Sequence, residues 1–146
     1  MTETAGIVQR TRLAAYAWCE SDDAILLCRL AEDTPEPGAW TLPGGGLEFG
    51  EDPATGAQRE VAEETGLTAS LGALIGVRSE LLESEETSSG DRVHLVGIVY
   101  RGTIRGGTLR DEVGGSTDRA AWIPFGELPA LPVVDLVTWA RGQTGR

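Results

Sequence analysis

The alternation of apolar and polar residues along the chain predicts a protein of strands and helices. Stretches with the composition and alternation of β-strands are residues 12–19, 24–30, 47–49, 71–82, 93–101 and 120–123. Helical spacing of apolar residues predicts helices over 53–65 and 133–141, with a helical turn at 125–128. The connections rich in Gly, Pro or polar residues are 31–39, 83–91 and 103–115, with a turn at Glu20–Asp23.

The segment 53–65 has clear signals for both helix ends. Asp52 is a favoured N-cap residue, and Pro53 suits the first helical position because its missing N–H is not needed there. Gly66 is a typical C-terminal stop. Strands combined with one central and one terminal helix indicate an α/β fold. The whole chain, 1–146, is predicted to form one domain, with a loose start over residues 1–11.

This predicted helix has a narrow apolar face beside a carboxylate face. Its apolar face consists of Ala54, Ala57 and Val61. Glu60 and Glu64 are one helical turn apart, and Glu63 flanks the same strip, which Gly56 leaves open one turn earlier. Three acids this close repel one another, but a hard divalent cation bound by their oxygens would reverse that effect. The helix therefore predicts a site for Mg²⁺ or Mn²⁺.

Composition limits the classes of partner. The formal net charge is −11, and no basic patch offsets phosphate repulsion, so nucleic acid is an unfavourable partner. No apolar run approaches the roughly 20 residues that span a bilayer, so we expect no membrane partner. The N-terminus lacks a signal-peptide hydrophobic region, and we expect a cytoplasmic protein.

Two cysteines and one histidine exclude a zinc site of the usual nitrogen and sulfur kind. A hairpin turning at Glu20–Asp23 would place Cys19 opposite Ala24 and Cys28 opposite Ala15. The two thiols would then not face each other, so a disulfide is disfavoured and reduced, buried thiols are predicted.

The helix belongs to a longer pattern of fixed spacing. Residues 45–67 read GGLEFGEDPATGAQREVAEETGL, which fits G-x5-E-x7-R-E-U-x-E-E-x-G-U, where U is a bulky apolar residue. This pattern resembles the Nudix box, and every specified position matches. The resemblance implies an α/β/α sandwich with a mixed β-sheet and a loop–helix–loop catalytic motif. It also implies metal-dependent hydrolysis of a diphosphate linkage, by attack of water at phosphorus.

The resemblance also suggests roles for residues of the box. The metal ligands that it implies are the Gly45 carbonyl, Glu60, Glu63 and Glu64. A carboxylate takes a proton from the attacking water, and Glu60 and Glu63 are candidates within the box. Arg59 is expected either to orient Glu60 or to pair with Glu51.

The family often has a further acid downstream, as an extra metal ligand or as the general base. Glu112, in a glycine-rich loop that could reach the site, is the first candidate, and Asp118 is the second. A lone acid in a loop can also be simply solvated.

Four residues outside the box are candidates for binding the substrate. Arg29 and Arg78 are predicted phosphate contacts, with surface solvation as the alternative. Trp40 could stack on a base or pack in the core. His94 could contact substrate or have a structural role in its strand.

These observations predict a hydrolase of a small nucleotide-type substrate. The substrate would be a nucleoside di- or triphosphate, or a nucleoside diphosphate linked to another group. The alternative is a domain of the same fold that binds a nucleotide without cleaving it. The sequence leaves open the leaving group, the base preference, the number of metals and the oligomeric state, including a homodimer.

Overall fold

A mixed β-sheet forms the centre of the computed structural model, which describes residues 6–146. Its strands are β1 (Gln9–Ser21), β2 (Ala24–Leu30), β3 (Trp40–Thr41), β4 (Gly44–Gly46), β5 (Leu67–Leu82), β6 (Arg92–Gly107) and β7 (Thr117–Pro124). The helices are α1 (Pro53–Thr65) and α2 (Asp135–Thr144), with 3₁₀ turns at Ser84–Glu86 and Phe125–Ala130. Within residues 6–146, none of the helices has the length and apolar character that a membrane crossing requires.

Strand β1 occupies the centre of the sheet. It runs parallel to β6 over most of its length and antiparallel to β2 and β4, so the sheet is mixed. Strand β5 pairs antiparallel with β6, while β3 and β7 pair with β2. The short strand β4 is bonded to β1 at Ala14–Tyr16, immediately before the chain enters α1. The sequence between β4 and α1 is therefore held beside the middle of the sheet.

The two helices cover opposite faces of the sheet. On one face, Val61 of α1 packs with Ala17 and Cys19 of β1. On the other face, Val137 of α2 packs in a cluster that contains Trp18 of β1. Successive residues of a strand point to opposite faces, which explains why the neighbours Ala17 and Trp18 belong to different cores. The predicted α/β/α sandwich with a mixed sheet is confirmed.

The local signals located α1 correctly. The Asp52 side chain accepts a hydrogen bond from the Thr55 N–H at 3.3 Å, and Gly66 ends the helix in the left-handed conformation with φ 77°. The space beside Gly56 is not open, because the Leu47 and Glu51 side chains occupy it.

Several strand boundaries differ from the predicted ones because strand pairing overrides local composition. The predicted strand at 47–49 is wrong, since the glycines 44–46 form β4 instead. The predicted loop at 103–115 is wrong over 103–107, which extends β6 by pairing with the start of β5. Residues 9–11 of the predicted loose start belong to β1, and residues 1–5 lie outside the described range.

The hairpin between β1 and β2 is tighter than the sequence predicted. Asp22 and Asp23 have φ values of 50° and 61° and form a two-residue turn, with Ser21 paired to Ala24. The predicted pairing of Cys19 with Ala24 is therefore wrong. Cys19 and Cys28 are nevertheless both buried and free, as predicted.

Candidate active site

Helix α1 places its last glutamate against the β4 strand. Glu64 is only 3% exposed, and its Oε1 accepts a hydrogen bond of 2.7 Å from the Gly44 N–H. Gly44 has φ 152°, and a Cβ there would come within 2.3 Å of the Ala15 carbonyl oxygen. Glycine at position 44 thus allows the strand to approach β1 and α1 closely enough to hold Glu64.

Glu60 lies one helical turn earlier and faces Gly45. A Cβ on Gly45 would lie 3.1 Å from the Glu60 carboxyl carbon, so the carboxylate is in close contact with the β4 backbone. The Glu63 side chain is 50% exposed at the edge of the same surface. The structure therefore brings Glu60, Glu64 and the Gly45 backbone together, with Glu63 beside them.

Arg59 connects the loop before α1 with the carboxylates of the helix. Its Nε and Nη2 donate to the two Glu51 oxygens at 2.8 and 2.9 Å, and its Nη1 donates to Glu60 at 3.0 Å. The same Nη1 lies 3.3 Å from Glu63. Both alternatives considered for Arg59 are therefore realised at once. The hydrogen bonds from Arg59, followed by the Glu48 N–H, lower the pKa of Glu51 to about 2.

The two glutamates nearest β4 are electrostatically unfavourable as anions. Burial raises the pKa of Glu64 well above its usual value, and the charges of Glu60, Glu112 and Glu63 raise it further, although the Gly44 N–H lowers it. Burial is also the main cause of the raised pKa of Glu60, against the lowering effect of Arg59. Folding has thus concentrated negative charge where water cannot solvate it well.

This cluster fits a hard divalent cation. Its donors, beside the Gly45 backbone, are carboxylate oxygens, which Mg²⁺ and Mn²⁺ prefer as ligands, and the added positive charge would relieve the repulsion on Glu64. In residues 6–146, no three His, Cys, Asp or Glu side chains are already gathered as a preformed metal site. Arg59 donates to Glu60 and the Gly44 N–H donates to Glu64, so these two carboxylates have different partners in the protein.

Glu112 is the downstream acid that lies near this cluster. Its charge contributes to the raised pKa values of both Glu60 and Glu64. Its Oε1 accepts a hydrogen bond of 2.9 Å from the buried Thr117 hydroxyl. Asp118, the second candidate, instead accepts a hydrogen bond of 2.7 Å from Arg29 at the surface.

A cleft of about 920 Å³ opens from the carboxylate cluster across the α2 side of the sheet. Its wall includes Gly45 and Glu64 at one end, and Leu30, Pro35 and Leu136 provide apolar surface elsewhere. This volume accommodates a nucleotide-sized ligand.

Of the four predicted substrate contacts, only Arg78 lines this cleft. Trp40 is 6% exposed and belongs to the core beside α2, so the packing alternative describes it. His94 alternates with the cleft residue Leu95 and therefore points to the other face, where its Nε2 bonds Ser79 Oγ at 2.7 Å. Arg29 is paired with Asp118. Trp40, His94 and Arg29 therefore do not line this cleft, and their substrate roles stay predictions.

The sequence reasoning missed Arg12 and Tyr16, which both line the cleft from β1. Their four-residue spacing puts them on one face of the strand, which was a detectable signal, but they lie more than 25 residues before the box. Burial raises the pKa of Tyr16 to about 12, so its hydroxyl remains protonated at neutral pH.

Comparisons with known proteins identify the family to which this fold belongs. The family model described as "NUDIX domain" matches residues 10–140. An ADP-ribose pyrophosphatase of Methanocaldococcus jannaschii is 31% identical over 129 residues, which cover 84% of this chain and 71% of that protein. An RNA pyrophosphohydrolase of Brucella ovis is 36% identical over 114 residues, covering 64% of this chain and 60% of that protein.

The solved structures show the same similarity. The crystal structure of a MutT NUDIX hydrolase from Burkholderia pseudomallei superimposes with a TM-score of 0.76 at 26% identity. The superposition covers 91% of this chain and 97% of that one. With the matched box, the α/β/α sandwich and the carboxylate cluster on α1, these findings show that the chain belongs to the Nudix family of hydrolases.

Proposed function

We propose that the protein hydrolyses a diphosphate linkage of a small nucleotide-type substrate in a reaction that requires Mg²⁺ or Mn²⁺. The observation that supports this most directly is the buried carboxylate of Glu64 on the wall of the large cleft, with the repelling charges of Glu60 and Glu112 near it. A substrate lying along the cleft would present its phosphates to these carboxylates. The substrate would be a nucleoside di- or triphosphate, or a nucleoside diphosphate linked to another group.

The proposed ligands of the cation are the Gly45 carbonyl, Glu60, Glu63, Glu64 and Glu112. The cation supplies positive charge to the phosphate oxygens and makes water more acidic. Arg59 orients the Glu60 carboxylate through the 3.0 Å hydrogen bond, while the Gly44 N–H holds Glu64.

Proton transfer from the attacking water is assigned to a carboxylate. Glu112 accepts a hydrogen bond from Thr117 with only one oxygen, which leaves its other oxygen free of any bond to the described residues. We therefore propose Glu112 as the first candidate for the base, with Glu60 and Glu63 as alternatives.

The charge of the protein favours a small substrate over RNA. One relative is named an ADP-ribose pyrophosphatase and another an RNA pyrophosphohydrolase, so the names refer to a small nucleotide and to RNA. A formal net charge of −11 opposes binding of a polyanion along an extended surface. A cytoplasmic location and a homodimer stay predictions.

A substrate screen tests the proposal. The protein would be incubated with nucleoside triphosphates, dinucleotides, nucleoside diphosphate sugars and a 5′-triphosphorylated RNA, with Mg²⁺, Mn²⁺ or EDTA. Released phosphate, pyrophosphate and nucleoside monophosphate would be measured. We expect metal-dependent release from a small nucleotide.

The matched control in this screen is Glu64→Gln, which should show little turnover. Binding of a nucleotide without any turnover would favour the non-catalytic alternative. Equal turnover in EDTA would contradict the role of the metal.

A further inference from the structure

The wall of the cleft is acidic, with few balancing cations. The acids that line it are Asp33, Glu36, Glu64, Glu80, Glu86 and Asp135. Among the described lining residues the cations are Arg12 and Arg78. Arg78 is already neutralised, since its Nη1 donates to Glu80 at 2.8 Å. Arg12, in contrast, makes no ion pair with any residue in the range 6–146. An anionic substrate entering this cleft would therefore find its unneutralised positive charge at Arg12.

The Arg12 guanidinium lies directly over the β4 strand. A Cβ on Gly46 would come within 2.6 Å of Nη2 and 2.7 Å of Nε, so the guanidinium fills the space that glycine leaves there. The two preceding residues, Gly44 and Gly45, are those that contact Glu64 and Glu60. Arg12 is thus placed beside the carboxylate cluster while belonging to a different strand.

Tyr16 lies on the same face of β1 and is fixed by glycines on both sides. A Cβ on Gly44 would approach the Tyr16 ring to 2.5 Å, and one on Gly97 would approach it to 3.4 Å. The Tyr16 hydroxyl forms no hydrogen bond with the described residues. Since every fully buried side-chain N or O atom in residues 6–146 has a partner, this hydroxyl is not fully buried. The hydroxyl of this half-buried side chain therefore keeps some exposure. Tyr16 lines the cleft, and its O–H has no described partner that a ligand would have to displace.

We propose that Arg12 and Tyr16 form a phosphate-binding subsite that positions the substrate for hydrolysis at the carboxylate cluster. Arg12 would bind a phosphate that is not attacked, through the two parallel N–H donors of its guanidinium. Tyr16 would donate one further hydrogen bond from its hydroxyl. This inference rests on the proposed function, because it assigns part of the same cleft to the diphosphate group.

The geometry favours Arg12 over Arg78 for this role. A guanidinium binds phosphate oxygens in a two-point manner that an ammonium group cannot reproduce. Arg78 would have to give up Glu80 first, whereas Arg12 has no partner to lose among residues 6–146. Hydrogen bonds to a charged group correspond to about a 10-fold to 100-fold change in affinity. Arg12 would supply two such donors and a positive charge, whereas Tyr16 would supply one donor and no charge, so the loss of affinity at Tyr16 should be the smaller.

The test measures binding of methylenediphosphonate, a pyrophosphate analogue whose bridging carbon is not hydrolysed. The full chain with Mg²⁺ would be titrated by calorimetry. We expect Arg12→Gln to weaken binding by about 10-fold or more, and Arg12→Lys to lie between wild type and Arg12→Gln. Tyr16→Phe should weaken binding less, and Arg78→Gln least of the cleft variants.

Arg10→Gln is the matched control. Arg10 lies two residues from Arg12 on the same strand but pairs with Asp91 at 2.9 Å and does not line the cleft. This variant should bind like wild type. The melting temperature of Arg12→Gln should be unchanged, which separates a binding role from a structural one.

Kinetics on a substrate found in the screen provide a second measurement. Loss of a contact with a phosphate that does not react should raise KM more than it lowers kcat. Wild-type affinity in Arg12→Gln, a larger loss in Arg78→Gln, or no wild-type binding at millimolar analogue would overturn the subsite. Analogue binding that depends on Arg12, without hydrolysis of any substrate, would instead retain the subsite and contradict the proposed function.

Discussion

Replacing Glu64 by glutamine should make the metal-free protein more stable and the enzyme much less active. Glu64 is 3% exposed, so its charge is removed from water, and the described charges of Glu60, Glu112 and Glu63 around it are negative. A buried charge without an opposite partner costs about 3–5 kcal/mol. The hydrogen bond from the Gly44 N–H recovers about 1.5–3 kcal/mol of this.

The expected change in stability follows from the difference between the cost of the buried charge and the contribution of the Gly44 hydrogen bond. Glutamine keeps an oxygen for the Gly44 N–H and removes the charge, so Glu64→Gln should raise the free energy of unfolding by about 1–2 kcal/mol. For a chain of this size, that corresponds to a melting temperature higher by about 3–6 °C. Most substitutions at buried positions lower stability, which makes an increase diagnostic.

The stability that Glu64→Gln gains over wild type should increase with pH. The pKa of Glu64 is raised in the folded protein above its usual 4.5, so the folded state retains the proton longer than the unfolded state. Wild-type stability from this group is complete below pH 4.5 and is lost as the pH rises through the folded-state pKa. The advantage of Glu64→Gln should therefore be small at pH 4 and grow at higher pH.

The assay is thermal or urea unfolding in EDTA between pH 4 and pH 8, with and without excess Mg²⁺, and kcat on the best substrate. Mg²⁺ should stabilise wild type more than Glu64→Gln, because binding to the folded state adds stability. We expect kcat to fall by about 100-fold or more, which equals about 2.7 kcal/mol. A less stable variant with normal kcat would show that Glu64 is structural and refute this reasoning.

Three further predictions follow from the site and the core. In ¹⁸O-labelled water, a single turnover should place the label in one phosphate product, as mass spectrometry would show, if the proposed attack of water is at phosphorus; label only in a sugar hydroxyl would contradict this. Glu112→Gln should lower kcat by about 10-fold or more with an unchanged melting temperature, since Gln can still accept from Thr117, while Asp118→Asn should have a smaller effect. If Asp118→Asn proved the more damaging, the base would be reassigned. Cys19 and Cys28 should resist alkylation in the native protein and react on unfolding, because burial raises the thiol pKa, to about 12 for Cys19. Labelling followed by mass spectrometry would measure this, and rapid modification of native protein would count against the buried placement.

The parts of the fold that the sequence predicted correctly are those governed by neighbours in the chain. Helix α1 begins and ends where its cap residues indicate, because an N-cap and a C-terminal glycine act within a few residues. The extension of β6 to Gly107 depends instead on pairing with β5, whose residues lie far away in sequence. The glycines of β4 lack strand propensity and form a strand only because β1 lies beside them.

The same division explains which residues near the cleft could be predicted from the sequence. The acids of the box follow one another on a single helix, so their proximity can be read from spacing alone. Arg12 and Tyr16 reach the cleft because β1 lies between β4 and β6, an arrangement that no local pattern encodes. Arg29 and His94 have side chains suited to phosphate or substrate. Arg29, however, is paired with Asp118, and His94 points to the face of β6 opposite the cleft, where it bonds Ser79.

For Glu64, the environment predicted from helical spacing differs most from the environment in the folded protein. On the helix it belongs to a carboxylate face, yet the structure buries it against the backbone of β4. A protein selected only for stability would place an apolar residue or an amide there, since each removes the buried charge. The proposed cation would explain why an acid occupies this position with Glu60 and Glu112 near it, because its positive charge would reverse the energetic penalty. The same argument applies less strongly to Glu63, which is half exposed and can be solvated without a metal. Glu64 is therefore the residue at which loss of metal binding and gain of stability should be most closely coupled.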